Sequence, residues 1–308
     1  MCFRELIRSF SHNFCQRTFK TSALDLWKEE ENRTGLVTFC KDLDLALGSG
    51  ISEGMITELC GPPGSGKTQL CLQLSVNVQI PQQLGGLQGR AVYLDTKYGF
   101  CPKRVQEMAK ALHQHCTNIA LLHKQNPDEI LAGFSEATAL DGILYAHVTN
   151  CTQILEAIAV LQNRLYDGEK IKLIIIDSLS FLVRNTITHS MKRVRRLHEI
   201  LTPLHKIAHR FGCVVIVTND VTTRISDSKP IEPMVTKPQI VSALGGSHTH
   251  KINQRIFLGR DETDYDSQSD HQPSYVASIS KGHFLPCIAV PFRIEAAGIR
   301  GIKKRDMR

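Results

Sequence analysis

Short apolar, β-branched runs alternate along this chain with longer segments whose apolar residues recur every three or four positions. The runs Met55–Cys60, Ala91–Leu94, Ile143–Val148, Lys172–Asp177 ("KLIIID") and Cys213–Val217 ("CVVIV") predict strands. In the last two the apolar residues are continuous, the pattern of a strand covered on both faces. Lys67–Val78, Pro102–His115, Thr152–Tyr166 and Ser190–Phe211 predict the intervening helices. Pro102 suits a first helical turn, and Ile154, Leu155, Ile158, Leu161 and Leu165 make one apolar stripe. Three further runs, Arg255–Leu258, Tyr275–Ser280 and Ile288–Ile294, have no helices between them. The expected fold class is therefore α/β: a mostly parallel sheet with helices on both faces and an antiparallel extension at the C-terminal side. The most loop-like stretch is Asp220 to His250, followed by a polar segment from Asp261 to Ser274. In such sheets ligands bind beyond the carboxyl ends of the strands, where Lys97, Asp177 and Asn219 fall.

With 308 residues and 42% apolar content, the chain suits one large domain, or one domain with a small appendage. No apolar run approaches the ~20 residues of a membrane span, so no membrane partner is expected. The ten cysteines include no C-x-x-C pair, which argues against a zinc or redox motif and for a reducing compartment, cytosol or nucleus. The thirteen histidines show no ligand spacing, and His248 and His250 read as loop residues. A net charge of +7 is compatible with a polyanionic partner. The first twenty residues lack a secretory h-region but carry Arg4, Arg8, Arg17 and Lys20 against Glu5, a composition that leaves a mitochondrial presequence as a minor alternative.

Chemistry enters at "GPPGSGKT", Gly61 to Thr68. This G-x-x-x-x-G-K-T follows a predicted strand and opens a predicted helix, the context a phosphate-binding P-loop requires. Gly61, Gly64 and Gly66 let the backbone turn its N–H groups around phosphate oxygens, and the helix N-terminus adds partial positive charge. Lys67 suits the β- and γ-phosphates and Thr68 a magnesium ion. Pro62, Pro63, Ser65 and Gln69 complete the expected ATP-binding set. Asp177, ending a four-residue apolar run, supplies the acid that holds magnesium, usually through water. Hydrolysis also needs a group that orients or deprotonates the attacking water. The side chain at the neighbouring strand end is Lys97, a cation that suits pairing with a γ-phosphate better than proton abstraction.

These motifs, with "AVYLDTKYGF", "VTNDVTTRI" and "ALGGSHTH", resemble the ATPase core of the eukaryotic RecA-like strand-exchange recombinases, over about Ser22 to Gly301. "TFCKDLDLALGSGI" and "LCLQLSVNVQIP" are most similar to the family's C paralogue. The resemblance implies a RecA-type P-loop ATPase core over 22–300, preceded by an N-terminal extension, 1–21, without a separate helical domain, and followed by a basic tail, 301–308. It implies ATP and Mg as cofactors, with related recombinase paralogues, the main recombinase and single-stranded DNA as partners. It further implies a nuclear role in homologous recombination and double-strand break repair, with cytoplasm as a second location. Whether the role is meiotic is left open. Two loops near Arg184–Ser190 and Val221–Gly246 would touch DNA, with Arg184, Lys192 and Arg224 as the contacts.

The departures from the family pattern concern the reacting end of ATP. The family's strand-end D-T-E-G is Asp95-Thr96-Lys97 here, so a cation stands at the water-activating Glu, and its T-N-Q is Thr218-Asn219-Asp220, so an anion stands at the sensor Gln. No catalytic residue is assigned. Lys97 and Asp220 are expected to pair, from the ends of adjacent strands, and hydrolysis is expected to be weak or absent. The family's Phe-x-x-Ala subunit-docking pattern has Lys20 at the Phe position before Ala23, with Phe19 beside it, which argues against homopolymers. "MKRVRR" brings Lys192, Arg193, Arg195 and Arg196 to a helix N-terminus, where cations are unfavourable unless an anion is near. The alternatives are an active DNA-dependent ATPase, with Asp95 as base, and a non-catalytic scaffold.

Overall fold

Residues 22–31, 34–224, 239–246, 248–261, 273–282 and 287–302 are described by the structure, a computed structural model. Expectations for Lys20 and Phe19, for most of the second DNA loop and for the last six residues of the basic tail lie outside them. The chain divides into two units, 1–33 and 34–308. In the first, α1 (Ala23–Glu31) begins where the Ser22 hydroxyl accepts from the Asp25 N–H at 3.2 Å and the Asp25 carboxylate accepts from the Ser22 N–H at 2.9 Å.

The second unit is built on continuous apolar strands. They are β1 (Ile56–Cys60), β2 (Arg90–Asp95), β3 (Ile143–His147), β4 (Ile171–Asp177) and β5 (Val214–Asn219). After a separate two-stranded hairpin, β6 (Val221–Arg224) with β7 (Gln239–Ser242), come β8 (Gln254–Arg260), β9 (Ser274–Lys281), β10 (Ala289–Glu295) and β11 (Gly298–Gly301). The main sheet runs β3-β2-β4-β5-β1-β8-β9-β10-β11. Pairing is parallel from β3 through β8 and antiparallel from there to β11.

Alternate residues of the central strands feed two cores. Tyr93, Leu173, Ile175, Val214 and Ile216 pack with α3 (Lys67–Asn77) and α4 (Pro102–Leu122), and α2 (Lys41–Ala46), α5 (Pro127–Ile130) and α6 (Glu136–Asp141) close the same side. Val92, Leu94, Ile174, Ile176, Val215 and Val217 pack on the other face with α7 (Cys151–Tyr166), α8 (Leu179–Thr186) and α9 (Ser190–Phe211). The expected layers are thus present. Helix α4 runs one to two turns past His115, because Cys116 and Ala120 continue its buried stripe. Strand β11 was not anticipated: Ala296 and Ala297 make a two-residue turn without the usual glycine pair, and the glycine follows at Gly298, with φ 104°.

Where the parallel and antiparallel parts meet, β1 carries Glu58 into a fully buried position. Asn219 of β5 donates to Glu58 Oε1 at 2.7 Å, His248 Nε2 lies 2.8 Å from the same oxygen, and Arg255 of β8 donates through Nε to Oε2. His248 lies in a turn, as expected, but its side chain is buried as a partner of Glu58. Burial alone would raise the Glu58 carboxyl, but His248, Arg255 and Asn219 outweigh it and hold it at about 2, against an ordinary 4.5. A carboxyl lowered on folding stabilises fully above its unfolded value and loses that contribution as pH falls through the folded one. The contribution, about 3 kcal/mol, should therefore drain between pH 4.5 and about 2. Glu58→Gln, which leaves the half-buried Arg255 without its counter-charge, is expected to lower stability at neutral pH by roughly 3 kcal/mol. It should also flatten the acid limb of the stability curve; urea unfolding across pH measures both, and an unchanged acid limb would refute the assignment.

Candidate nucleotide-binding site

The P-loop joins β1 to α3. Gly66 is the residue before α3, with φ 92°, a left-handed conformation that favours glycine. No side chain caps α3, so its first N–H groups are left for a ligand. Gly61 is required for a different reason: a Cβ there would lie 2.2 Å from the Leu258 carbonyl oxygen of β8. Residues Pro63 to Gln69 line a cavity of about 390 Å³, together with Lys97, Gly99, Asp177, Asp220, Tyr275 and Ile294. Gly61 and Pro62 contribute their carbonyls, which accept from Lys67 Nζ at 2.7 and 2.9 Å.

Asp177 stands on the cavity floor at the end of β4. Its Oδ2 accepts from the Thr68 hydroxyl at 2.8 Å and the Tyr93 hydroxyl at 2.8 Å; its Oδ1 accepts from the Thr218 hydroxyl at 2.6 Å. Tyr93 was missed at the sequence level, where it reads simply as an apolar strand residue. Burial first, and the Asp177 carboxylate second, push its hydroxyl well above the ordinary tyrosine range, so it stays a proton donor.

The far end of the cavity holds the two residues that depart from the family pattern. Lys97 Nζ lies 3.1 Å from Asp220 Oδ2, and Lys67 Nζ lies 3.4 Å from Asp220 Oδ1. The expected ion pair is present, but its strands are not adjacent: β4 lies between β2 and β5. The pair instead bridges over the start of α8, where the Ser180 hydroxyl accepts from the Asp220 N–H at 3.0 Å and donates to Asp220 Oδ2 at 3.2 Å. Lys97 Nζ also lies 5.0 Å from the centre of the Phe181 ring. Burial would raise the Asp220 carboxyl, yet Lys97 and Lys67 more than offset it and hold it below the ordinary value. Burial lowers the Lys67 ammonium, and Asp220 opposes that shift.

Asp95, the alternative base, is buried, and its two oxygens accept from the Lys97 and Phe100 N–H groups at 2.9 and 3.0 Å, which shapes the strand-end turn. Asn219 is not a lining residue; its side chain turns to Glu58 and Ser242. Ser65 Oγ is buried without a hydrogen-bond partner among the described residues. That orphan hydroxyl, the uncapped helix end, Lys67 and the Thr68–Asp177 pair together fit a nucleotide's phosphates and a magnesium ion.

The candidate DNA contacts are partly rearranged. Arg184 is not in a loop but in the last turn of α8, exposed, and Lys192 is exposed in the first turn of α9. Neither has an ion-pair partner among the described residues. Lys192 lines a cavity of about 490 Å³ with His189, Arg195 and Arg196. Both of those arginines pair with Glu199, at 3.1 and 3.0 Å, and Arg193 donates to the Thr188 carbonyl at 2.8 Å. The cationic run therefore contributes fewer uncommitted charges than its sequence shows. Arg224 lies on β6. Among the described residues no helix is long and apolar enough to cross a membrane, and no cluster of His, Cys, Asp and Glu fit for a metal ion occurs.

The nine-stranded sheet and the P-loop beneath it define a P-loop ATPase core of the RecA type. The Rad51 family model matches residues 31–266, and the chain belongs to that family. It is 32% identical over 293 residues to DNA repair protein RAD51 homolog 3 of Cricetulus griseus, covering 93% of this chain and 78% of that one. It is 35% identical over 238 residues to the Dictyostelium discoideum RAD51 homolog 3, covering 77% of this chain and 60% of the relative. DNA repair and recombination protein RadA of Methanococcus voltae is 30% identical over 304 residues, 94% of this chain and 83% of that protein. The similarity to homolog 3 agrees with the resemblance to the C paralogue.

The Lys97–Asp220 contact is partly exposed, 35% and 24% for the two side chains. A double-mutant cycle of Lys97→Met and Asp220→Asn, read by urea unfolding, is expected to give a coupling of about 1 kcal/mol at low salt that shrinks as salt is raised. Additive single variants would show that the two charges do not meet in solution.

Proposed function

We propose that this chain is an ATP-binding recombinase paralogue that assists homologous recombination and double-strand break repair in the nucleus. It would work with related paralogues and the main recombinase on single-stranded DNA, and would turn ATP over very slowly. One observation carries the reading. The phosphate-holding half of the cavity is complete, with Lys67, Thr68 and Asp177, while its far end presents the Lys97–Asp220 ion pair. Magnesium bound there would neutralise phosphate charge. The protein's share is to hold it: Thr68 and Asp177 would face the metal, Tyr93 and Thr218 fix the Asp177 carboxylate, and Lys67 meets the phosphates. Asp95, its oxygens taken by the turn, is poorly placed to accept a proton from water. The relatives' printed roles in DNA repair and recombination support the cellular part of the proposal.

ATP binding by the full chain, measured by calorimetry, is expected, and Lys67→Ala should abolish it. Single-turnover hydrolysis should stay near background with and without single-stranded DNA. Fast turnover that Lys67→Ala removes would make the chain an active ATPase, and no binding would make it a scaffold. For the DNA contact, Lys192→Ala is expected to weaken single-strand binding and lower the slope of log affinity against log salt by about 0.7. An unchanged slope would remove Lys192 from the interface.

A further inference from the structure

Two ammonium groups face one carboxylate at the far end of the nucleotide cavity. Lys67 and Lys97 approach different oxygens of Asp220, and all three residues line the cavity with the P-loop. The backbone of Lys97 is pinned, since its N–H and that of Phe100 bind the two Asp95 oxygens, and the next side chain, Tyr98, stacks on His147 with ring centres 3.7 Å apart. Lys97 can therefore trade partners without leaving the cavity mouth. A carboxylate between two lysines occupies the kind of place that a terminal phosphate would take: an anion with several acceptor oxygens, met by two cations.

We propose that Asp220 stands in for the terminal phosphate of a nucleotide, and that Lys97 is the residue that makes this site select a nucleoside triphosphate over a diphosphate. The inference rests on the ATP-binding reading above. A diphosphate is served by the P-loop N–H groups and Lys67, and leaves Lys97 on Asp220. A triphosphate brings a further anion to the far end, where Lys97 exchanges the carboxylate for it. Asp220 is thus a competitor of the third phosphate, and Lys97 its receptor. Because one residue attracts the third phosphate and the other opposes it, their removal should move ATP affinity in opposite directions.

The test is calorimetric binding of ATP and of ADP, each with magnesium, to the full chain. Lys97→Met should weaken ATP roughly tenfold, the worth of one charge-assisted hydrogen bond, and move ADP less than about twofold. Lys97→Arg should keep the preference. Asp220→Asn, which still accepts from Ser180 but no longer competes as an anion, should raise the ATP preference several-fold, on the order of half that effect in logarithmic terms. Equal losses for ATP and ADP in Lys97→Met, or an unchanged ratio in both variants, overturns the proposal while leaving ATP binding intact. Wild-type protein that binds neither nucleotide overturns both. If Lys97→Met fails to fold, judged by its melting in the absence of nucleotide, the Asp220→Asn ratio decides alone.

Discussion

The parallel strands end level with one another, and the site depends on that register. Asp95 pairs with Asp177 across β2 and β4, and Cys60 pairs with Asn219 across β1 and β5. The segments that follow β1, β2, β4 and β5 therefore leave the sheet along one edge. Neighbouring strands are about 4.8 Å apart, so β2 and β5, with β4 between them, are separated by about 10 Å. A lysine and an aspartate side chain together span that gap, provided the intervening segment stays low. It does: β4 turns at once into α8, and Ser180 at the start of that helix supports the bridge by bonding Asp220 from below. Lys97 and Asp220 meet because the sheet is parallel and in register, although their strands never touch.

On the proposed reading, level strand ends also let binding and turnover fall to different elements. The proposed phosphate contacts come from the turn between β1 and α3, and the proposed metal contact from the end of β4. The family's water-activating position falls just after β2, and the carboxylate nearest it, Asp95 at the end of that strand, is spent on backbone N–H groups. A cation in the next exposed position changes the electrostatics of the far end without touching the P-loop. The substitution is local because the elements that carry the two tasks are different.

The layers, the P-loop, Asp177 and the pairing of Lys97 with Asp220 were legible in the sequence, since each is written in adjacent residues or in a strand-end motif. What could not be read were the contacts distant in sequence that no motif position points to. Tyr93 looks like a core residue until β2 is placed beside β4, and only then does its hydroxyl reach Asp177. His248 and Glu58 are 190 positions apart. Helix α8 is short, and the expected loop near Arg184–Ser190 overlaps its last turn; the Ser178 hydroxyl, which accepts from the Phe181 N–H at 3.3 Å, is the signal in the sequence that marks its start. Likewise the basic run on α9 was read at full charge because its partner, Glu199, lies just beyond it.

Three carboxylates in this unit meet their partners in three ways, and net charge follows from the partners' chemistry. Glu58 is bonded to the Arg255 guanidinium, so its charge is cancelled inside the protein and it can only be structural. Asp177 is bonded to three hydroxyls, which satisfy its oxygens but carry no charge, so its negative charge is left for a cation at the cavity floor. Asp220 is cancelled by two lysines, and those lysines line an open cavity, where the proposal has a terminal phosphate compete with it. Burial sets Glu58 and Asp177 apart from the half-buried Asp220 but does not separate those two. The charge of the donors is what separates them: a guanidinium meets Glu58, neutral hydroxyls meet Asp177, and two ammonium groups that line an open cavity meet Asp220.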